Sequence, residues 1–255
     1  MLRTVRATRY VTPLREGGSL PAIVEADDSG LYVVKFRGAG QGPLSLVAEL
    51  ISGEIGRTLE LPIPEIVFIE IDVAMGRNEA DPEIRELLLA STGLNLALDY
   101  LPGSFSFDPA VDAHIDSDLA SRIVWFDAYI ANVDRTPRNP NLLWWHDALY
   151  CIDHGASLYF HHNAKSLVQE AANPFPLVRD HVLLPQAQRI AEVDAAMREA
   201  LTDERISAIL EEVPDAWLSP PAAKQRELYN AFLTRRLDAS AIFVKEALHA
   251  QSQFV

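Results

Sequence analysis

The sequence predicts an α+β protein, and three observations predict it. Residues 1 to about 100 carry β-branched and aromatic runs bounded by turn residues, with a single helical stretch among them. From about residue 104 onward the apolar residues recur at helical spacing, interrupted by one hairpin. Strands and helices are therefore segregated along the chain instead of alternating, which separates this arrangement from a βαβ fold.

The elements follow in order. Ala22-Ile23-Val24 is a short apolar run, Asp27-Asp28-Ser29-Gly30 a turn cluster, and Leu31 to Phe36 a strand, so the three together predict a hairpin. After a glycine-rich break at residues 38–42, Val47, Leu50, Ile51 and Ile55 mark a helix over residues 44–59, which Pro62 and Pro64 end. Residues 65–71 and 95–100 read as two further strands, and Pro102-Gly103 forces a turn. Asp116-Ser117 can cap a helix carrying Leu119, Ile123, Phe126 and Ile130. Residues 142–145 and 148–152 flank His146-Asp147 as a short hairpin. The remainder is helical: one stripe on Ile190, Val193, Met197 and Leu201, a second on Ile206, Ile209, Leu210 and Val213, and a long third on Leu228, Phe232, Ala239 and Phe243.

Composition narrows the function classes. The chain has 255 residues, 49% of them apolar and 23% charged, as expected of a protein that folds around its own core. With 22 Lys+Arg against 36 Asp+Glu the formal net charge is −14, and both halves are acidic, which speaks against sequence-independent nucleic-acid binding. No stretch of 18 apolar residues is present to span a membrane, and the N-terminal residues lack the apolar core of a secretion signal. One cysteine, Cys151, excludes an internal disulfide, so the expected location is cytoplasmic. Lysine is scarce: Lys35, Lys165, Lys224 and Lys245 are the only four, and arginine does the ordinary surface work.

Three constellations can carry chemistry. The densest is Asn132-Val133-Asp134-Arg135 followed by Asn139, then, fourteen residues on, Asp153-His154-Gly155 at the end of an apolar strand. Phosphoryl transfer needs these parts, namely a carboxylate to accept a hydroxyl proton (Asp134) and an amide oxygen with a second carboxylate to hold magnesium (Asn139 and Asp153). Singly, each residue is equally at home in a turn; the ordered set points to the chemistry. The second constellation is Lys35, a cation inside an apolar strand that must reach an anion or face solvent on a sheet edge. Glu49, on the next helix, would complete a Lys–Glu pair that aims the ammonium at nucleotide phosphates. The third is Gly17-Gly18-Ser19, whose backbone N–H groups can cradle phosphate or simply make a turn.

Taken together, Gly17-Gly18-Ser19, Tyr32 to Phe36, Glu49, Leu98 to Leu101, Asp134-Arg135 with Asn139, and Ile152 to Gly155 resemble the HipA-like kinases. These are bacterial relatives of the protein-kinase and phosphatidylinositol-kinase superfamily. The resemblance covers about residues 10 to 160. It implies a bilobal kinase-like fold, with a strand-rich N-lobe over residues 1–98, a hinge at 99–103 and a helical C-lobe over 104–255. It implies ATP and Mg2+ as cofactors, with Gly17, Gly18, Ser19 and Lys35 at the phosphates, Glu49 orienting Lys35, and Asp99, Tyr100 and Leu101 meeting adenine. Asp134 becomes the catalytic base, and Asn139 and Asp153 the metal ligands. The expected activity is transfer of the γ-phosphoryl group to a protein serine or threonine. A nucleotide-binding pseudokinase and a small-molecule phosphotransferase are the alternatives. Full-length relatives carry an extra N-terminal subdomain and pair with an antitoxin. This chain begins almost at the phosphate loop, which counts against an antitoxin partner. Residues 185–255 are expected to complete the C-lobe.

Overall fold

A computed structural model describes residues 2–14, 20–40, 42–111, 115–158 and 170–254. Gly17, Gly18 and Ser19 lie outside the described residues, as does Lys165. The chain divides into two compact units, Met1–Leu50 with Pro64–Gly103, and Ile51–Ile63 with Ser104–Val255. The sequence reading placed residues 51–63 with the N-terminal part. The grouping of contacts instead puts them with the second unit.

The first unit is a five-stranded closed barrel. Its strands are β1 (Thr4–Pro13), β2 (Ala22–Ala26), β3 (Leu31–Lys35), β4 (Ile66–Ile71) and β5 (Gly93–Asp99), in the order β1-β2-β3-β5-β4. β2 and β3 form the hairpin expected from the Asp27 to Gly30 cluster, pairing Val24 with Tyr32 and Ala22 with Val34. Closure comes from a parallel pairing of β1 with β4, Val5 opposite Ile69. Period-two alternation sends Val5, Val24, Tyr32, Val34, Val67, Ile69 and Ala97 into one buried cluster. β1 has no counterpart in the sequence reading. Its arginines break the apolar run, and irregular pairing between Ala7 and Arg9 and between Tyr10 and Thr12 breaks its alternation. Two short helices also join this unit, α2 (Val73–Arg77) and α3 (Pro82–Ala90), numbered after the main helix α1 (Pro43–Thr58). Each is announced by an aspartate cap, Asp72 accepting from the Ala74 N–H and Asp81 from the Glu83 and Ile84 N–H groups.

The second unit is built around α4 (Ser117–Tyr129), capped by Asp116 and buried along nearly its whole length. Trp125 stacks on Tyr129 at 5.3 Å and meets Phe243 edge-on at 5.4 Å. β6 (Phe105–Ser106), β7 (Leu142–Trp145) and β8 (Ala148–Cys151) form a small sheet. The β7–β8 turn places both His146 and Asp147 at positive φ, 46° and 61°, the two-residue geometry that matches strand twist. Cys151 is buried, and its thiol is pushed up to about 12 by that burial.

The helices that follow are α5 (Ile190–Ala200), α6 (Asp203–Glu211), α7 (Ala222–Asp238) and α8 (Ser240–Gln251). The long third stripe of the sequence is thus two helices. Ala239, at φ −93° and ψ 14°, leaves the helical region. The turn there brings Phe243 of α8 within 5.0 Å of the guanidinium of Arg236 on α7, which also lies 5.9 Å from Phe232. Arg236 is 2% exposed and donates to the carbonyls of Ala128 and Tyr129, the last residues of α4. A buried guanidinium at a helix C-terminus satisfies carbonyls that lack a partner within the helix and complements the dipole. Among the described residues, no helix is long and apolar enough to cross a membrane.

Candidate active site

In the first unit, alternation along β3 turns Tyr32 and Val34 into the barrel and Lys35 to the opposite face. Lys35 Nζ lies 3.2 Å from Glu49 Oε2 on α1, with side-chain exposures of 11% and 1%. Charges this dry are tolerated only when paired. The pair holds an ammonium at a fixed place beside the barrel, and so accounts for a lysine in a chain that otherwise avoids lysine.

Asp99 ends β5, opposite Tyr32. Its N–H donates to the Glu65 carbonyl at 2.8 Å, and the Tyr100 N–H donates to the Leu31 carbonyl at 2.9 Å. These two N–H groups are spent within the barrel, and Leu101 just beyond them is buried. The Asp99 carboxyl is raised above the ordinary value by burial and by the neighbouring charge of Glu65.

In the second unit, α4 ends at Ile130 and the chain turns through Ala131 at φ 52°. The loop that follows bears Asp134, half-buried, with Asn139 Nδ2 donating to its Oδ2 at 2.8 Å and Asn141 Nδ2 approaching the same oxygen at 3.5 Å. A tight turn between Thr136 and Asn139, closed by reciprocal backbone bonds of 3.1 Å, brings Asn139 back to Asp134. The Ile152 N–H donates to the Asn141 carbonyl at 3.0 Å, fixing the strand end that carries Asp153, itself at φ 54°. Asp134 is raised above the ordinary carboxylate value, first by partial burial and then by the charge of Asp153; the amide donors of Asn141 and Asn139 oppose this.

That donor set fits a hard divalent cation. Asn139 spends its Nδ2 on Asp134, which leaves its Oδ1 as an oxygen ligand. Asp153 supplies a carboxylate whose repulsion of Asp134 a cation would relieve. Among the described residues, no group of three His, Cys, Asp or Glu side chains could hold a metal. A site with one carboxylate and one amide suits Mg2+, which keeps several waters and takes further ligands from substrate phosphates.

Beneath the loop lies a second set of residues to which the sequence reading gave no role. Asp127 on α4 is fully buried. Its Oδ2 accepts from Arg135 Nε and from His181 Nε2, the latter at 2.8 Å, and its Oδ1 accepts from Asn132 Nδ2 at 2.9 Å and Arg135 Nη2 at 3.3 Å. Asn132 Oδ1 in turn accepts the Asp134 N–H at 3.1 Å. Arg135, 1% exposed, donates Nη1 to the carbonyls of Asn141 and Ile152. Burial alone would raise the Asp127 carboxyl, but the Arg135 charge and the His181 hydrogen bond reverse this and hold it well below the usual range. The signal available in the sequence was an aspartate between Phe126 and Ala128 on an apolar helix, a carboxylate that must find a partner.

His181 carries its proton on Nε2, because Nδ1 accepts the Leu183 N–H at 3.0 Å. Burial lowers its pKa, so the folded protein keeps it neutral while the unfolded chain protonates near pH 6.5. Below that pH the unfolded state binds the extra proton, so stability is full above about pH 6.5 and falls as pH drops toward the lowered folded value. One proton sets the upper limit of that slope, about 1.4 kcal/mol per pH unit. Urea midpoints at pH 7.5 and 5.5 measure it, and His181→Gln should flatten the difference; an equal slope in that variant would contradict it.

A strand barrel whose third strand carries a lysine paired with a helix glutamate, and a helical unit that carries the Asp134 loop, are features of a kinase-like α+β fold. The chain belongs to the HipA-like kinases, whose family model matches residues 8–241. No curated protein matches the sequence. Among solved structures, the chain is similar to the Helicobacter pylori proinflammatory kinase CtkA, with a TM-score of 0.58 and 13% identity over the full length of both chains. It is also similar to the Golgi casein kinase with Mn/ADP bound, with a TM-score of 0.51 and 10% identity over 96% of this chain and 73% of the other. At such identities the likeness is one of fold.

Proposed function

We propose that this protein is an ATP- and Mg2+-dependent kinase that transfers the γ-phosphoryl group to a protein serine or threonine hydroxyl. The observation that carries this reading is Asp134 oriented by Asn139 and repelled by Asp153, a base beside an oxygen-ligand pair. Asp134 accepts the hydroxyl proton as the acceptor oxygen bonds to the γ-phosphorus, and the bond to the β–γ bridging oxygen breaks to release ADP. Its raised proton affinity suits that step. Lys35, steered by Glu49, binds nucleotide phosphate; Leu101 and the Asp99 and Tyr100 carbonyls meet adenine. Asn139 and Asp153 would hold Mg2+, which supplies charge neutralisation between the β- and γ-phosphates when bound. A cytoplasmic location suits both the nucleotide and a lone thiol.

The test is purified protein with γ-labelled ATP and Mg2+. Label on serine or threonine, in this chain or in an added protein, supports the reading. Label confined to small molecules replaces the acceptor, and nucleotide binding without turnover replaces the enzyme with a binding module. Asp153→Ala should move the Mg2+ half-saturation point upward by about tenfold or more, on the order of one charged ligand contact of 1.4 kcal/mol. A superimposable metal titration would remove Asp153 from the site.

A further inference from the structure

We propose that Asp127 is the positioning residue of the phosphoryl-transfer loop, acting on Asp134 through Asn132 and on the Asp153 strand through Arg135. The inference rests on the kinase reading for its catalytic consequence, though not for its geometry.

Asp127 has two oxygens and four donors upon them, all buried, so it is saturated and immobile. Two routes lead outward. Through Asn132, whose Nδ2 is held by Asp127, the amide Oδ1 is fixed where it accepts the Asp134 N–H at 3.1 Å. Through Arg135, the guanidinium spans to the carbonyls of Asn141 and Ile152. Asn141 also turns its Nδ2 toward Asp134, and Ile152 precedes Asp153. One carboxylate therefore sets the backbone on both sides of the Asp134–Asp153 pair. A third contact, from His181, lies 54 residues on, where the Val182 N–H donates to the Arg135 carbonyl at 3.1 Å. In switchable kinases an arginine awaits a phosphate added later. Here the arginine next to Asp134 already has its counter-charge, Asp127, within the fold.

Asn132→Ala tests this without disturbing the buried charges, because Arg135 and His181 keep their hold on Asp127. Two readouts are taken on the same protein. Hydrogen exchange, resolved at the Asp134 amide, should be slow in the wild type and at least tenfold faster in the variant. Exchange across α4 should be unchanged. The maximal rate of phosphoryl transfer should fall at least tenfold, with the KM for ATP within twofold of wild type and the melting temperature nearly unchanged. Loss of rate with a matching loss of global protection would make Asn132 merely structural and overturn the proposal. So would an Asp134 amide that exchanges equally in both proteins. If the wild type transfers no phosphate, the kinase reading falls, and the exchange measurement alone still decides the positioning role. Arg135→Lys, which keeps the charge and loses the fork, should lower the rate as well; full activity in that variant would break the second route.

Discussion

Asp134→Asn is expected to lower phosphoryl transfer by about 10²- to 10⁴-fold, the usual contribution of a positioned general base, while nucleotide still binds. The substitution keeps shape and removes the proton acceptor. The remaining polar set is unaffected, because Asn139 and Asn141 can still face an amide oxygen at that position. The change should appear in kcat and leave the affinity for nucleotide within about threefold, since under the proposed function Asp134 meets the acceptor hydroxyl and not the nucleotide. Single-turnover transfer, together with equilibrium binding of a fluorescent nucleotide, separates the two quantities. Wild-type turnover in this variant would deny Asp134 the role of base.

The second large effect is on stability. Asp127→Asn is expected to destabilise the fold by roughly 3–5 kcal/mol, because Arg135 and Asp127 have fully buried side chains and the arginine would be left without its counter-charge. In a chain of this size that corresponds to a fall in melting temperature of about 10 °C. The amide in the variant also presents its NH2 group to the guanidinium or to His181, both donors. Adding Arg135→Met should return much of the lost stability, because a buried ion pair replaced as a whole costs far less than one broken in half. Activity should not return, as Met cannot hold the Asn141 and Ile152 carbonyls. Chemical denaturation of the two single variants and the double variant gives the coupling. A single-variant cost below about 1 kcal/mol would mean that water reaches the pair.

Most of what the sequence determined about this protein was local. The Asp27 to Gly30 turn, the β-branched run ending in Lys35 and the paired His146-Asp147 each act within a few residues. So does the aspartate cap of α4. Dihedral preference and apolar period alone are enough to predict them. The order of Asp134, Asn139 and Asp153 is legible in the same way, because the turn that returns Asn139 to Asp134 closes within four residues. α2 and α3 left readable caps at Asp72 and Asp81, but their apolar stretches are too short for periodicity to show.

Only the tertiary structure decided the rest, and the reason is common to each case: the partner is remote in sequence. β1 becomes a barrel strand by pairing with β4 some sixty residues away, which no alternation within β1 announces. The N–H groups of Asp99 and Tyr100 donate to the carbonyls of Glu65 and Leu31, partners that no pattern within the segment names. The third stripe breaks at Ala239 because Arg236, bonded to α4 carbonyls 108 residues back, draws phenylalanines from both sides of the break. Asp127 looks like an isolated charge on an apolar helix until His181 and Arg135 meet it. A short-range pattern can say that a buried carboxylate needs donors, whereas the identity of those donors depends on how distant backbone is packed around it.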